Sequence, residues 1–410
     1  MLYGFLSTVL FFCILPFWLI IGIFKPKLLF GMREKTGFFK APKVISPIIF
    51  YGVSVGEVLA MENLIKKTKQ TFPNQSIVVM TGTKTGQDIA KKKLSDFTDF
   101  ITYFPLDFPI FINRMLKKLK PKAVFIMETE LWPNFANITN KKNIPTYIIN
   151  ARISDRTFNS YKKLKFIFKP ILNRYTSIFA QSRQDMEKFL SLGANPKTVK
   201  VMGNLKFDIK TPNLEGFDII HNHPTIIAGS THTGEDEVIL NSYLELKKDI
   251  EDLKLIIAPR HPERNESVYK LAQNTKLKIG RRSNKDNLDE LDIMLLDTMG
   301  ELGKMYSICD VAFIAGSFNK TGGHNPLEAT IFSKPVISGP CVHNFKDIYS
   351  ILCYENAAKI VNTKDELTLN LKLLLTDKTE YNEMTKACEK VFEENKGALR
   401  FVIEVLQSIV

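Results

Sequence analysis

Cysteine is scarce in this sequence of 410 residues, which contains five scattered cysteines. None belongs to a Cys-x-x-Cys pair (Cys13, Cys309, Cys341, Cys353 and Cys388). Such spacing argues against a zinc site or a disulfide framework, and it is typical of proteins in a reducing compartment.

An Asp-x-Asp motif beside a strand end is also missing from the second half of the chain. The nearest candidate, DELD (289–292), precedes the strand-like run DIMLLD (292–297) and so lies at the wrong end of it for a ligand site. We therefore expect no obligatory metal.

Charge is absent from the first 24 residues, MLYGFLSTVLFFCILPFWLIIGIF, a stretch long enough to span a bilayer. No A-x-A-like cleavage site follows it, which disfavours a removed signal peptide. Basic residues dominate the next stretch, from Lys25 to Lys43, against the single acid Glu34, so residues after 25 are predicted to be cytoplasmic. We predict a membrane anchor at 1–24, although Pro16 leaves a buried or interfacial helix open.

The net charge of +13 is divided unevenly. Residues 1–210 carry 33 basic against 13 acidic side chains, and residues 211–410 carry 23 against 30. Opposite signs indicate two domains with different partners. A basic first half suits nucleic acid, an anionic membrane surface or a phosphorylated substrate.

Short apolar runs alternate with amphipathic stretches in both halves, for example SPIIFYG (46–52) and DVAFIAGS (310–317). Continuous apolar runs indicate strands buried on both faces of a parallel sheet. The sequence predicts an α/β fold of two doubly wound domains facing a cleft. The predicted boundaries are an anchor at 1–24, a first domain at 25–210, a linker at 211–217 and a second domain at 218–410.

The most informative motif of the second half is GGHNPLEA (322–329). Gly322 and Gly323 permit close approach of backbone to a ligand. Asn325 begins a predicted helix whose free N–H groups suit a phosphate, and Glu328 can accept hydrogen bonds from a ribose diol. The alternative is a capped helix after a strand.

Three other loops of the second half are predicted to follow strands. In PRHPER (259–264), Arg260 offers a planar fork for phosphate or carboxylate, and His261 is either a ligand contact or a structural hydrogen-bonder. Ser230 in GSTHTGE (229–235) suits either a phosphate contact or a helix cap. Gly300 and Glu301 could frame a nucleoside or cap a helix.

In the first half, polar residues follow several apolar runs. Glu128 and Glu130 of METELWPN (127–134) are candidates for acceptor hydrogen bonding or for a role in cleft structure, rather than for a metal. Arg152 begins a basic and aromatic stretch (150–175) that suits a bilayer surface or a nucleic acid, and the neighbouring anchor favours the bilayer. Lys206 in GNLKFD (203–208) is predicted to face the cleft.

The stretch SVGE (54–57) fits the capping box S-x-x-E, in which Glu57 would serve the helix start. It also follows an apolar run, so that Glu57 would lie at a strand end. Folds with parallel sheets carry their catalytic and binding residues there. The stretch alone favours the cap.

Taken in order, these motifs resemble the Kdo (3-deoxy-D-manno-octulosonic acid) transferase family. The resemblance runs through SVGE, ETELWPN, NARISDRTFNSY, GNLKFD, GSTHTGE, PRHPER and GGHNPLEA, and it covers most of the chain. Gly52-Val53 stands where the family more often has His-Ala. The resemblance implies a GT-B glycosyltransferase fold, an inverting reaction, a CMP-Kdo donor and a lipid A precursor with two phosphates as acceptor.

With that resemblance, Glu57 is the predicted general base, and Arg260 and the helix start at Asn325 are predicted to stabilise the leaving phosphate. Glu128, Arg152 and Lys206 are predicted acceptor contacts. The protein is expected at the cytoplasmic face of a bacterial inner membrane, without a cofactor and without nucleic acid as a partner. The alternatives are a GT-B enzyme that uses a UDP-sugar and a non-catalytic module that binds anionic lipid or nucleic acid.

Overall fold

The computed structural model describes residues 30–40, 42–217, 219 and 223–410. They form two compact units. The first contains the described residues up to Asp208 together with Asn395–Val410, and the second is Ile209–Glu394. The predicted anchor at 1–24 lies outside the described residues. Among the helices that are described, none is long and apolar enough to cross a membrane.

The first unit is built on a parallel sheet in the order β3-β2-β1-β4-β5-β6-β7. Its strands are β1 (Ile48–Gly52), β2 (Ile77–Thr81), β3 (Phe100–Tyr103), β4 (Ala123–Met127), β5 (Thr146–Ala151), β6 (Ser177–Ala180) and β7 (Val199–Val201). Its helices are α1 (Met32–Lys35), α2 (Val55–Thr71), α3 (Lys84–Leu94), α4 (Pro109–Leu119), α5 (Pro133–Lys141), α6 (Asp155–Lys163), α7 (Lys165–Leu172) and α8 (Arg183–Ser191). Two 3₁₀ turns, Ser95–Phe97 and Leu205–Phe207, complete this part of the chain.

The strands of the first unit are mostly apolar because helices cover both faces of the sheet. In β1, Ile49 and Tyr51 belong to one core cluster, whereas Ile48 and Phe50 belong to the other. A ladder of stacked rings crosses the second face from β1 to β6 (Phe50, Phe125, Tyr147 and Phe179, with centroids 4.9–5.8 Å apart).

The second unit repeats this architecture with a parallel sheet in the order β10-β11-β9-β8-β12-β13-β14. Its strands are β8 (Thr225–Thr231), β9 (Lys254–Pro259), β10 (Ile279–Arg281), β11 (Ile293–Leu295), β12 (Val311–Ile314), β13 (Val336–Ser338) and β14 (Ala358–Ile360). Its helices are α9 (Glu235–Leu246), α10 (Asn265–Gln273), α11 (Leu302–Met305), α12 (Leu327–Thr330), α13 (Lys346–Tyr354), α14 (Lys364–Thr376) and α15 (Lys378–Asn395), the last of which ends at the unit boundary. Its 3₁₀ turns are Pro262–Arg264, Arg282–Asn284, Leu288–Glu290, Tyr306–Ile308 and His343–Phe345.

The last helix, α16 (Ala398–Gln407), corrects the predicted extent of the second domain, because it packs on the first unit. Its apolar face lies in the same core cluster as β1 and β4, and Phe401 packs edge-on against Phe179 with centroids 4.9 Å apart. The Asp208 carboxylate accepts hydrogen bonds from the backbone N–H groups of Gly397 (2.8 Å) and Leu399 (2.6 Å). The chain therefore divides after Asp208, near the predicted linker, and returns at Asn395.

Candidate functional site

Glu57 lies in the first turn of α2, directly after β1. Ser54 is the N-cap, and its hydroxyl oxygen accepts the Glu57 N–H (3.4 Å). The Glu57 carboxylate accepts the Val53 N–H (2.7 Å) and the Ser54 hydroxyl (2.9 Å), one on each oxygen. The helix cap therefore forms, yet each carboxylate oxygen keeps a second acceptor position.

The electrostatic surroundings make Glu57 a stronger base than an ordinary glutamate. Burial raises its pKa, and the negative charge of Glu128 adds to the rise. Hydrogen bonds from Val53 and Ser54 act in the opposite direction without cancelling it. A carboxylate with a raised pKa is better matched to proton abstraction near neutral pH.

Glu128 and Glu130 follow β4 and, with Glu57, form what we call the glutamate cluster. Glu128 adopts a left-handed backbone conformation (φ 55°) where the chain leaves the strand. Its carboxylate lies 3.7 Å from the ammonium of Lys206, which comes from the 3₁₀ turn after β7. Two loops distant in sequence thus meet at one edge of the sheet.

Glu130 is the most strongly perturbed carboxyl of the cluster. Burial, together with the charges of Glu57 and Glu128, raises its pKa to about 7. Aromatic side chains lie near the glutamate cluster. Tyr51 stacks on Phe104 with ring centroids 3.9 Å apart, and both Glu130 and Glu57 raise the pKa of the Tyr51 hydroxyl in addition to burial.

Arg152 follows β5 and is half-buried. Its carbonyl oxygen accepts a hydrogen bond from the Thr129 hydroxyl, which joins the loop of Glu128 to the loop of Arg152. In the same area, a buried Asn150 accepts the Leu205 N–H through its side chain (2.9 Å) and so fixes the turn that carries Lys206. These contacts bring the loops of all four predicted residues of the first unit to the carboxyl edge of the sheet (Glu57, Glu128, Arg152 and Lys206).

In the second unit, the two arginines of PRHPER have different surroundings. Arg260 is exposed, as is His261. Arg264 instead donates to the Thr231 carbonyl (2.7 Å) and pairs with Asp236, whose side chain is 2% exposed. Arg264 is therefore part of the framework, whereas Arg260 is available to a ligand.

A buried carboxylate holds the loop after β12. Glu235, 1% exposed, accepts the backbone N–H groups of Gly316 (2.7 Å), Ser317 (2.8 Å) and Phe318 (2.9 Å). It also accepts the backbone N–H of His232 (3.1 Å) from the loop after β8. The two loops are consequently fixed relative to each other.

His232 and His324, which we call the histidine pair, meet above this carboxylate. Their Nε2 atoms are 2.9 Å apart, and the two rings are nearly parallel. His261 packs edge-on against His232, with ring centroids 5.5 Å apart. Neither member of the pair is among the predicted site residues. The one signal in the sequence is that both lie in strand-end loops of the recognised motifs.

The glycine-rich motif carries a shorter helix than the sequence predicts. Helix α12 is a single turn of four residues, so its dipole is weak support for an anion at Asn325. The Asn325 side chain accepts the Leu327 N–H (3.1 Å). Gly322 and Gly323 have φ of 99° and 76°, which favours glycine at both positions. Burial raises the pKa of Glu328, and the positive charge of Arg260 opposes the rise, which places these two groups within electrostatic reach.

The remaining predicted residues also lie at strand ends. Ser230 adopts a left-handed conformation (φ 60°) near the end of β8. Gly300, with φ 82°, is exposed. Glu301 forms an ion pair with Arg282 (3.1 Å), so its carboxylate is already engaged. Within the described residues, no group of three or more histidine, cysteine, aspartate or glutamate side chains is arranged to hold a metal ion.

Comparisons with known proteins identify the fold of this chain and the family to which it belongs. UDP-GlcNAc 2-epimerase from Neisseria meningitidis shares the fold, with a TM-score of 0.51 and 16% identity over 88% of this chain and all of that one. The C-terminal CMP-Kdo binding domain of WaaA from Acinetobacter baumannii matches at 30% identity, over 42% of this chain and 91% of that domain, with a TM-score of 0.41. The predicted fold class, two parallel-sheet α/β domains of the GT-B type, is confirmed for the described residues.

The family model described as 3-deoxy-D-manno-octulosonic-acid transferase (Kdo transferase) matches residues 31–209. The 3-deoxy-D-manno-octulosonic acid transferase of Haemophilus influenzae is 35% identical over 95% of this chain and 93% of its own length. The chain therefore belongs to the Kdo transferase family, and the resemblance drawn from its motifs is confirmed. It is a glycosyltransferase.

The raised pKa of Glu130 predicts a pH-dependent stability of the first unit. The folded state retains a proton up to about pH 7 that the unfolded chain releases near 4.5, so stability should fall as the pH rises between these values and level off above. Glu130→Gln should remove this loss. Because the side chain is partly solvated, we expect a relative gain of about 1–2 kcal/mol for the variant from about pH 5 to about pH 8.

The measurement is urea unfolding followed by tryptophan fluorescence, since both tryptophans, Trp18 and Trp132, precede Asp208. Glu187→Gln, an exposed glutamate of the same unit, serves as the matched control and should show no such gain. An equal pH response of wild type and Glu130→Gln would contradict the assignment.

Proposed function

We propose that this glycosyltransferase transfers Kdo from CMP-Kdo to a lipid A precursor, lipid IVA, in lipopolysaccharide core biosynthesis, with inversion and with Glu57 as general base. The observation that carries the proposal is the Glu57 carboxylate, which combines a raised pKa with free acceptor positions at the carboxyl edge of the first sheet. Membership of the Kdo transferase family supports the reaction class.

On the acceptor side, Glu57 would take the proton from the attacking hydroxyl of the lipid. Lys206 holds Glu128 by an ion pair, and its ammonium would also attract an acceptor phosphate. Arg152 contributes a further positive group at the same edge. The role of Glu128 would be to accept a hydrogen bond from the acceptor and to keep the pKa of Glu57 high.

On the donor side, the reaction releases CMP, whose phosphate gains charge as the glycosidic bond breaks. Arg260 is an exposed cation at the carboxyl edge of the second sheet, and we assign it to this phosphate and to the Kdo carboxylate. Glu328 would accept hydrogen bonds from the ribose hydroxyls. Ser230, His261, Gly300, Glu301, Gly322, Gly323 and Asn325 complete the proposed donor contacts. Because one phosphate leaves and arginine supplies positive charge, the proposed reaction needs no metal or other cofactor.

The acceptor is expected at a membrane surface, and α6 and α7 of the first unit suit that location. Phe166 is 75% exposed and Ile167 and Leu164 are also exposed, beside a series of lysines (Lys162, Lys163, Lys165 and Lys169). Exposed apolar side chains next to lysines suit an anionic bilayer. We therefore assign the catalytic units to the cytoplasmic face of the bacterial inner membrane, with no nucleic acid partner.

The direct test is incubation of the full chain with CMP-Kdo and a bisphosphorylated lipid A precursor, followed by mass spectrometry. The proposal predicts a lipid that has gained Kdo and a release of CMP. CMP, and not UDP, should also raise the melting temperature of the protein. A sugar transferred only from a UDP donor, with UDP as the stabilising nucleotide, would contradict it.

Glu57→Gln tests the base. Glutamine also serves in capping boxes, so α2 should keep its start and the protein its stability, whereas the turnover number should fall by about 10²–10⁴-fold. Affinity for CMP-Kdo should change little. The matched control is Glu62→Gln on the same helix, where the carboxylate pairs with Lys66 and Lys93. Substantial turnover by Glu57→Gln would remove this residue from the role.

Arg260→Ala tests the donor contact against Arg264→Ala. Loss of one charged hydrogen-bonding group should weaken CMP binding about 10–100-fold, with little effect on folding because Arg260 is exposed. Arg264→Ala should instead destabilise the second unit by about 3–5 kcal/mol, since Asp236 would remain buried and unpaired. Calorimetric titration with CMP and thermal unfolding separate the two effects. Unchanged CMP affinity in Arg260→Ala would count against the assignment.

A further inference from the structure

The histidine pair joins two loops of the second unit through ring nitrogens. His232 follows β8 and His324 precedes α12, and their Nε2 atoms are 2.9 Å apart. At this distance one Nε2 carries the hydrogen and the other offers its lone pair. One added proton can go to the Nδ1 of the donating ring without breaking the contact, whereas a second would place two N–H groups face to face. The pair therefore accommodates a single positive charge.

The pair is held in place before any ligand arrives. Glu235 accepts the backbone N–H of His232 and three consecutive backbone N–H groups of the loop that leads to His324. Gly316 leaves room for the second ring, because a Cβ there would lie 2.8 Å from the His324 Cδ2. The contact is thus a consequence of two fixed loops rather than of a free side-chain rotamer.

Positive groups surround the pair. Burial, together with the charges of His232, Arg260 and His261, lowers the pKa of His324 to about 4. Burial likewise lowers the pKa of His232, although the negative charge of Glu235 acts in the opposite direction. The charged and titratable groups that act on the pair are Glu235, Arg260, His261 and Arg264. Without a bound ligand, the histidine pair of the second unit is consequently uncharged at neutral pH.

We propose that His232 and His324 together take up one proton from solution when an anionic CMP-sugar binds the second unit. The inference rests on the proposed function, because CMP-Kdo brings a phosphodiester and a carboxylate to the edge that carries Arg260. Burial and the neighbouring positive groups keep the pair neutral. The two negative charges of the donor act against both effects. Donor binding is then linked to the proton, and it tightens as the pH falls.

Calorimetric titration of the full chain with fresh CMP-Kdo, without acceptor and with EDTA, tests the linkage. The phosphodiester and the carboxylate of this probe stay ionised near neutral pH, so a proton that enters on binding goes to the protein. Two buffers of different ionisation enthalpy give the number of protons taken up. For wild type we expect about half a proton or more at about pH 7, and a Kd that rises about 3- to 10-fold per pH unit between about pH 6.5 and 7.5.

The double variant His232→Gln/His324→Gln keeps a side-chain amide near each former Nε2 but has no imidazole at the pair to take up the proton. It should show uptake near zero and a Kd that changes less than about 2-fold over the same range. The matched control is His223→Gln, two residues before β8 at the opposite edge of the sheet, which should behave as wild type. Thermal unfolding of each variant establishes that it is folded.

The outcomes separate this inference from the donor assignment. Binding of CMP-Kdo without proton uptake by wild type overturns the inference alone. So does uptake that survives in the double variant of the pair, or that is lost only in His261→Gln, because the proton would then belong elsewhere. Failure of CMP-Kdo to bind at any pH overturns the proposed donor and the inference with it.

Discussion

Every paired strand in the described residues runs parallel to its neighbours. This constraint determines the edge of each sheet at which functional side chains can gather. Parallel strands place all their carboxyl ends at one edge, so loops far apart in sequence become neighbours. Glu57 after β1, Glu128 after β4 and Lys206 after β7 meet in this way in the first unit. The second unit gathers the loops after β8, β9 and β12 by the same rule.

The buried Glu235 and the half-buried Glu57 show how the surroundings of a glutamate decide between a structural and a catalytic role. Glu235 accepts backbone N–H groups from two loops, and its carboxylate is occupied by the fold itself. Glu57 accepts fewer hydrogen bonds, keeps free acceptor positions and has a raised pKa. The same distinction separates Arg264, which neutralises a buried aspartate, from the exposed Arg260. The role of a charged residue in a motif therefore depends on whether its side chain is already bound by other groups of the fold.

Much of the fold followed from the sequence, because strands covered on both faces leave long apolar runs and their ends are marked by polar loops. The α2 capping box and the positions of Arg260 and Glu128 at strand ends were predictable for that reason. The return of α16 to the first unit was not, since an amphipathic helix does not specify which sheet it covers. Nor was the contact of His232 with His324, which depends on Glu235 and Gly316 fixing two loops in space.

The central claim is that a burial-raised carboxylate, Glu57, accepts the proton during glycosyl transfer. The most direct measurement is the pH dependence of kcat/KM for Kdo transfer by wild type and by Glu57→Gln. We expect the wild-type rate to rise with pH as one group with a pKa above that of an ordinary glutamate loses its proton. That rise should be absent from the residual activity of the variant. A rise of the same shape and midpoint in both proteins would contradict the claim.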